Sequence, residues 1–120
     1  MKPFRMIVHV VFYREPGEDT LYAHALEFNL LGDGPDHHAA LANLFDAIAT
    51  QVHAVAKYGN PADLLTQTDP EVLRKFDAGH DVFEGEMEVE ERWLKIEHVV
   101  IEDVQAREYH PDAKPEPAAV

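Results

Sequence analysis

Eight histidines and 23 carboxylates, with neither a cysteine nor a serine, bound the chemistry open to this 120-residue chain. Composition alone excludes disulfides, thiolate metal sites, and cysteine or serine nucleophiles. Thr20, Thr50, Thr66 and Thr68 are the remaining aliphatic hydroxyls, and no recognisable base stands near them in sequence. A chelate on a helix needs ligands three or four residues apart, so that both reach one ion from one face. His37 and His38 are adjacent and diverge, while His53 has no His, Asp or Glu at that spacing. His9 and His24 would approach diagonally across a hairpin, an incomplete ligand set to be weighed against two ordinary strand-face histidines.

Gly32-Asp33-Gly34 ahead of a helix has the look of a phosphate loop, yet the third glycine and the lysine are missing. Asp33 and Asp36 would also repel an anion, so a tight strand-to-helix turn explains the segment better. A two-metal nuclease needs several acids converging from strands and a helix. Asp33, Asp36 and Asp46 are the candidates near this segment, but Asp36 reads as a helix cap and Asp46 as solvated surface. No catalytic, cofactor-binding or metal-ligating residue is assigned, and the chain is expected to bind rather than catalyse.

Ten basic residues against 23 acidic ones give a formal net charge of −13. Nucleic acids are held largely by Lys and Arg neutralising phosphates, and this field has the opposite sign. Direct nucleic-acid binding is therefore not expected, whereas a basic protein would be attracted. No apolar run approaches the ~18 residues of a membrane span, and the N-terminus leads into a strand pattern rather than a signal peptide. A cytoplasmic protein is the expectation.

The elements that must carry these side chains follow from local pattern. FRMIVHVVFYR, from Phe4 to Arg14, is rich in β-branched and aromatic residues and reads as a strand covered on both faces. Glu15-Pro16-Gly17-Glu18-Asp19-Thr20 is a turn, and Leu21 to Phe28 returns as a second strand. If Arg14 meets Leu21, one face carries Val8, Val10, Phe12, Ala23 and Ala25, the cleaner core face. The other carries His9, Val11, Tyr13, Tyr22, His24 and Leu26. Amphipathic aromatics of that kind suit a protein interface, and His9, Val11, Tyr13, Tyr22 and His24 are the interface candidates. Leu30 to Gly34 is a brief third strand.

From Asp36 to Gly59 the residues Leu41, Leu44, Phe45, Ile48, Val52, Val55 and Ala56 recur at steps of three and four, predicting one amphipathic helix. Asp36 is its cap, and Gly59 stands where a left-handed terminal residue is wanted. Leu64 and Leu65 are expected to tuck against the core. Asp69-Pro70 opens a short second helix that stops by Gly79. Residues 86–104 fit either a strand or a helix, and the β-branched run at Val99-Val100-Ile101 favours a strand over about 93–104. Residues 106–120, with three prolines, read as a disordered tail.

This order resembles the HicB-like antitoxin domain. The matching residues are Leu21-Tyr22-Ala23-His24-Ala25 in the second strand, Leu31-Gly32-Asp33-Gly34 before the helix, and His37-His38-Ala39-Ala40-Leu41-Ala42-Asn43-Leu44 within it. The resemblance spans about residues 4–60 and rests on pattern and spacing. His37 and His38 replace the family's usual acidic pair, and Leu26-Glu27 stands where Cys-Pro is common. Residues 61–120 show neither a ribbon-helix-helix nor a helix-turn-helix module. The resemblance implies an α+β fold of order β-β-β-α-(α)-β, a three- to four-stranded antiparallel sheet with one main helix on one face, in a single domain over 1–105 with its core at 4–80. It also implies a role as the acidic partner that occludes a small basic ribonuclease toxin of a toxin-antitoxin pair, and a homo-oligomer, dimer or tetramer, formed through the sheet edge or the Tyr/His face is expected. The alternatives are a stand-alone oligomeric domain binding a small ligand, and a metal-dependent hydrolase, since this fold has been likened to a reduced ribonuclease H.

Overall fold

In a computed structural model, which describes residues 3–59, 64–82, 85 and 87–111, strand β1 (Phe4–Tyr13) and strand β2 (Leu21–Ala25) form the hairpin that the Arg14–Leu21 pairing implies. Val10 faces Ala25, Val11 faces His24, Phe12 faces Ala23 and Tyr13 faces Tyr22. Gly17 supplies the positive φ, +81°, that the turn between them requires. Strand β3 (Leu30–Gly34) pairs antiparallel with β2 after a turn in which Asn29 takes φ 51°, a left-handed conformation that Asn tolerates. Val8, Val10, Phe12, Ala23 and Ala25, which share one face by the two-residue period of a strand, are all fully buried.

Helix α1 (His37–Tyr58) closes over that face. Asp36 caps it, its Oδ1 accepting the Ala39 N–H at 2.8 Å. Of the predicted stripe all but Ala56 are buried, and Ala40 joins them. The helix leaves no room on the strand beneath it: a Cβ on Gly32 would lie 2.2 Å from the Leu44 nitrogen, and one on Gly34 2.7 Å from the Ala40 nitrogen. The Gly-Asp-Gly segment is thus a seat for the helix backbone. At the far end Gly59 has φ −115°, so the helix stops without the left-handed residue predicted there, the Gly59 N–H returning to the Val55 carbonyl at 3.1 Å.

Helix α2 (Pro70–Ala78) starts at Asp69, whose Oδ1 accepts the Glu71 N–H at 2.9 Å, and packs on the opposite face of the hairpin. Leu64 is buried as predicted, but Leu65 is 46% exposed. The C-terminal part departs further from expectation. Instead of one strand over 93–104, the chain makes a two-residue strand β4 (His80–Asp81), a 3-10 turn (Glu91–Leu94), a two-residue strand β5 (Lys95–Ile96) and a long strand β6 (Val99–Glu108). The tail predicted from residue 106 therefore begins in strand, and residues 112–120 lie outside the described residues.

The sheet is mixed rather than antiparallel. Its order is β3-β2-β1-β6-β4, with β5 also on β6, and β6 runs parallel to β1. A register shift opposite Met6 and Ile7 leaves Glu102 as an extra residue. Val99 and Ile101 before the bulge, and Val104 and Ala106 after it, therefore all turn toward the α1 side. Trp93 completes this core, stacked on Phe45 at 5.1 Å between ring centroids.

Candidate functional site

The face of the hairpin predicted as an interface is the one that α2 covers. Val11 is fully buried, Tyr13 is 7% exposed and His24 9%, beneath Val72 and Phe76 of α2 and beside Leu26 and Tyr109. His9 and Tyr22 are half-buried at its margin. Lys75 of α2 sets its Nζ 4.1 Å from the Tyr13 ring centre and 3.6 Å from Glu15, and Phe76 meets the His9 ring edge-on at 5.7 Å. An amphipathic aromatic surface has here found its partner within the same chain. What remains for a second protein is its rim.

The polar atoms of this face are satisfied locally. His24 Nε2 lies 2.8 Å from Asn29 Oδ1, and its Nδ1 3.4 Å from the Tyr13 hydroxyl. Burial holds the His24 pKa below its ordinary value, partly offset by the Asn29 contact, and burial with the Glu15 charge raises that of Tyr13. Tyr22 donates to Glu18 Oε2 at 2.7 Å, and this bond chiefly pushes the phenol pKa up to about 12. His9 and His24 do not converge on one point: His9 Nδ1 lies 2.6 Å from Glu27 Oε2 while Glu27 Oε1 also accepts the His9 amide at 2.7 Å.

Four further histidine–glutamate contacts were not visible to helical spacing. His37 and His110 both approach Glu108, the latter at 2.7 Å; His38 lies 3.1 Å from Glu90, and His53 2.7 Å from Glu97. Apart from His110, each partner is more than forty residues away in sequence. Glu108 stands at the carboxyl end of β6 beside Phe12, where His37 packs edge-on at 4.7 Å. A cleft of about 400 Å³ opens next to it, lined by Tyr13, Arg14, Glu15, Leu21, Tyr109 and His110 among others. Among the described residues no three His, Asp or Glu side chains form a group able to hold a metal ion. Asp36 is spent as a cap, and Asp33 and Asp46 are exposed.

No family model, no curated protein and no solved structure matches the chain.

The other accessible feature is the edge of the sheet. The Leu26 N–H donates to the His9 carbonyl at 2.9 Å, so by antiparallel alternation Tyr22 and His24 direct their backbone groups toward β1. Leu21, Ala23 and Ala25 bond to Gly34, Gly32 and Leu30, and the backbone groups of Leu31 and Asp33 point away from the sheet. Asn43 of α1 donates its amide to the Asp33 carbonyl at 2.6 Å, as that direction requires. Leu31 is 45% exposed at this edge, with the exposed carboxylates of Asp33 and Asp36 beside it in sequence.

Proposed function

We propose that this chain is an acidic protein-binding domain of the HicB-like antitoxin type, which captures a small basic protein such as a ribonuclease toxin. One observation carries the reading: a net charge of −13, with several of the ten cations already engaged within the chain. Arg107 donates to the Phe76 carbonyl at 3.0 Å and lies 3.3 Å from Asp81; Arg92 bonds Glu90, Lys75 covers Tyr13, and Arg14 reaches the Asp19 carbonyl. The field offered to a partner is then acidic, and complementary potential raises association rate and selects among partners. The β-β-β-α layout, with the helix on one face, accords with the resemblance. A cytoplasmic setting belongs to the same proposal; no helix among the described residues is long and apolar enough to cross a membrane.

The test is genetic and biochemical. A neighbouring reading frame should encode a basic protein of about 60–80 residues, rich in the Lys and Arg that RNA binding needs. Co-expression should relieve its toxicity, and the complex should weaken as salt is raised through the screening range. A neighbour of that kind whose toxicity persists, or that fails to co-purify, removes the reading.

A second reading rests on the cleft beside Glu108, whose size falls within the roughly 300–1,000 Å³ of small-ligand pockets and whose position is at the carboxyl ends of the parallel pair β1 and β6. It would make the chain a stand-alone ligand-binding domain. A ligand screen by thermal shift, with Glu108→Gln as the control that abolishes any response, separates it from the first.

A further inference from the structure

We propose that the open edge of β3 is the docking strand of this domain, taking an extended basic segment of the partner as an added antiparallel or parallel strand. The proposal rests on the acidic-binding reading and names its surface. The sheet has two edges, and they are unequal. Beyond β6, the strands β4 and β5 and the Val82 amide occupy Glu108, Arg107, Ala106, Val100 and Val99. At β3, by contrast, no strand among the described residues lies on the outer side of any of Leu30–Gly34, whereas on β6 only 101–105 lack such a partner.

An uncovered edge is a template for pairing, and proteins normally blunt it with charge, proline or a bulge. Here the blunting is partial. Asn43 occupies the Asp33 carbonyl, which leaves the Leu31 N–H and C=O and the Asp33 N–H directed outward. The side chains beside them are the exposed Leu31 and the exposed Asp33, on the same face as Tyr22. Leu31 offers an apolar contact to one side chain of an incoming strand, and Asp33 a carboxylate to the next on that face, two residues on.

Charge decides the occupant. A second copy would bring Asp33 and Asp36 against its own acidic edge and would double a charge of −13, whereas an Arg- or Lys-bearing strand is attracted by both. Among the described residues no Lys or Arg forms an ion pair with Asp33 or Asp36 that would cancel this field.

The experiment uses the full chain and a synthetic ten-residue peptide of alternating Arg and Val at low salt. Expected are binding, slowed amide exchange at Leu31 and Asp33, and loss of affinity by about fivefold or more in Leu31→Pro. That proline removes an N–H directed away from β2 that no strand among the described residues uses, and edge strands accept proline where the N–H faces solvent. Circular dichroism checks that the variant folds. Asn43→Ala, which frees the Asp33 carbonyl for the incoming strand, supplies an independent reading and should raise affinity.

Peptide that binds Leu31→Pro and Asn43→Ala as tightly as the unaltered chain, or that leaves the Leu31 amide unprotected, overturns edge docking while the acidic-binding reading stands. Failure of the peptide to bind also overturns it, the reading itself being judged by the co-expression test. A dimer in light scattering that Leu31→Pro dissolves would assign the edge to a second copy, against the proposal.

Discussion

Gly32 lies directly beneath Leu44: the space where its Cβ would stand is 2.2 Å from the Leu44 amide nitrogen and 2.5 Å from the Ala40 carbonyl oxygen. Both are helix backbone, which cannot rotate away as a side chain would. Gly32→Ala must therefore lift α1 off the sheet or bend β3, at a cost of about 3 kcal/mol, the upper part of the range for overpacked cores. Gly17 gives the contrast, with nothing within 4 Å of its Cβ position but a φ of +81°. There Ala meets only the penalty of a left-handed backbone, about 1–2 kcal/mol. Urea unfolding of the two variants checks the ranking, and equal losses would show that α1 does not sit on β3 as described.

His24 makes stability depend on pH. Burial lowers its folded pKa below the ordinary 6.5, so the unfolded chain binds more protons as the pH falls below that value. Its contribution is therefore complete above about pH 6.5 and declines as the pH falls from there toward the folded pKa. His24→Gln retains a polar group able to meet Asn29 but cannot titrate. Its unfolding free energy should have a flatter slope than that of the unaltered chain between neutrality and about pH 5. Parallel slopes for the two proteins would show that His24 titrates alike folded and unfolded.

Phe76 ties α2 to the sheet through the His9 ring of β1 at 5.7 Å, the Arg107 guanidinium of β6 at 5.4 Å from the ring centre, and the cluster formed by Val11, Tyr13 and Val72. Phe76→Ala should cost about 2 kcal/mol, less than a fully buried phenylalanine because the ring is only half-buried. The loss should be local. Amides of 70–78 should exchange faster with solvent while those of α1 stay protected, since the two helices cover opposite faces. A uniform change in exchange across the chain would mean that the faces do not open separately.

Local rules carried most of the expectations as far as α2, although the second strand stops at Ala25 and not at Phe28. The β1–β2 register, the bounds of β3, the Asp36 and Asp69 caps and nearly all of the α1 stripe follow from periods of two and 3.6 and from side chains that bond their own backbone neighbours. The single strand expected over about 93–104 is broken instead, because Glu97 takes φ 53° and folds β5 back antiparallel on β6, Ile96 facing Val99. No residue type announces that reversal at Glu97, nor the bulge at Glu102.

Composition and short-range pattern determined that this is an acidic α+β chain whose main helix closes over a hairpin, because those features depend only on residues a few positions apart. Tertiary structure alone decided that β6 runs parallel beside β1, that α2 takes the Tyr13 and His24 face for itself, and that His37 and His53 meet Glu108 and Glu97. Each of these joins residues separated by long stretches of chain, where the choice of partner is set by how much apolar surface the whole fold can bury and not by any local preference.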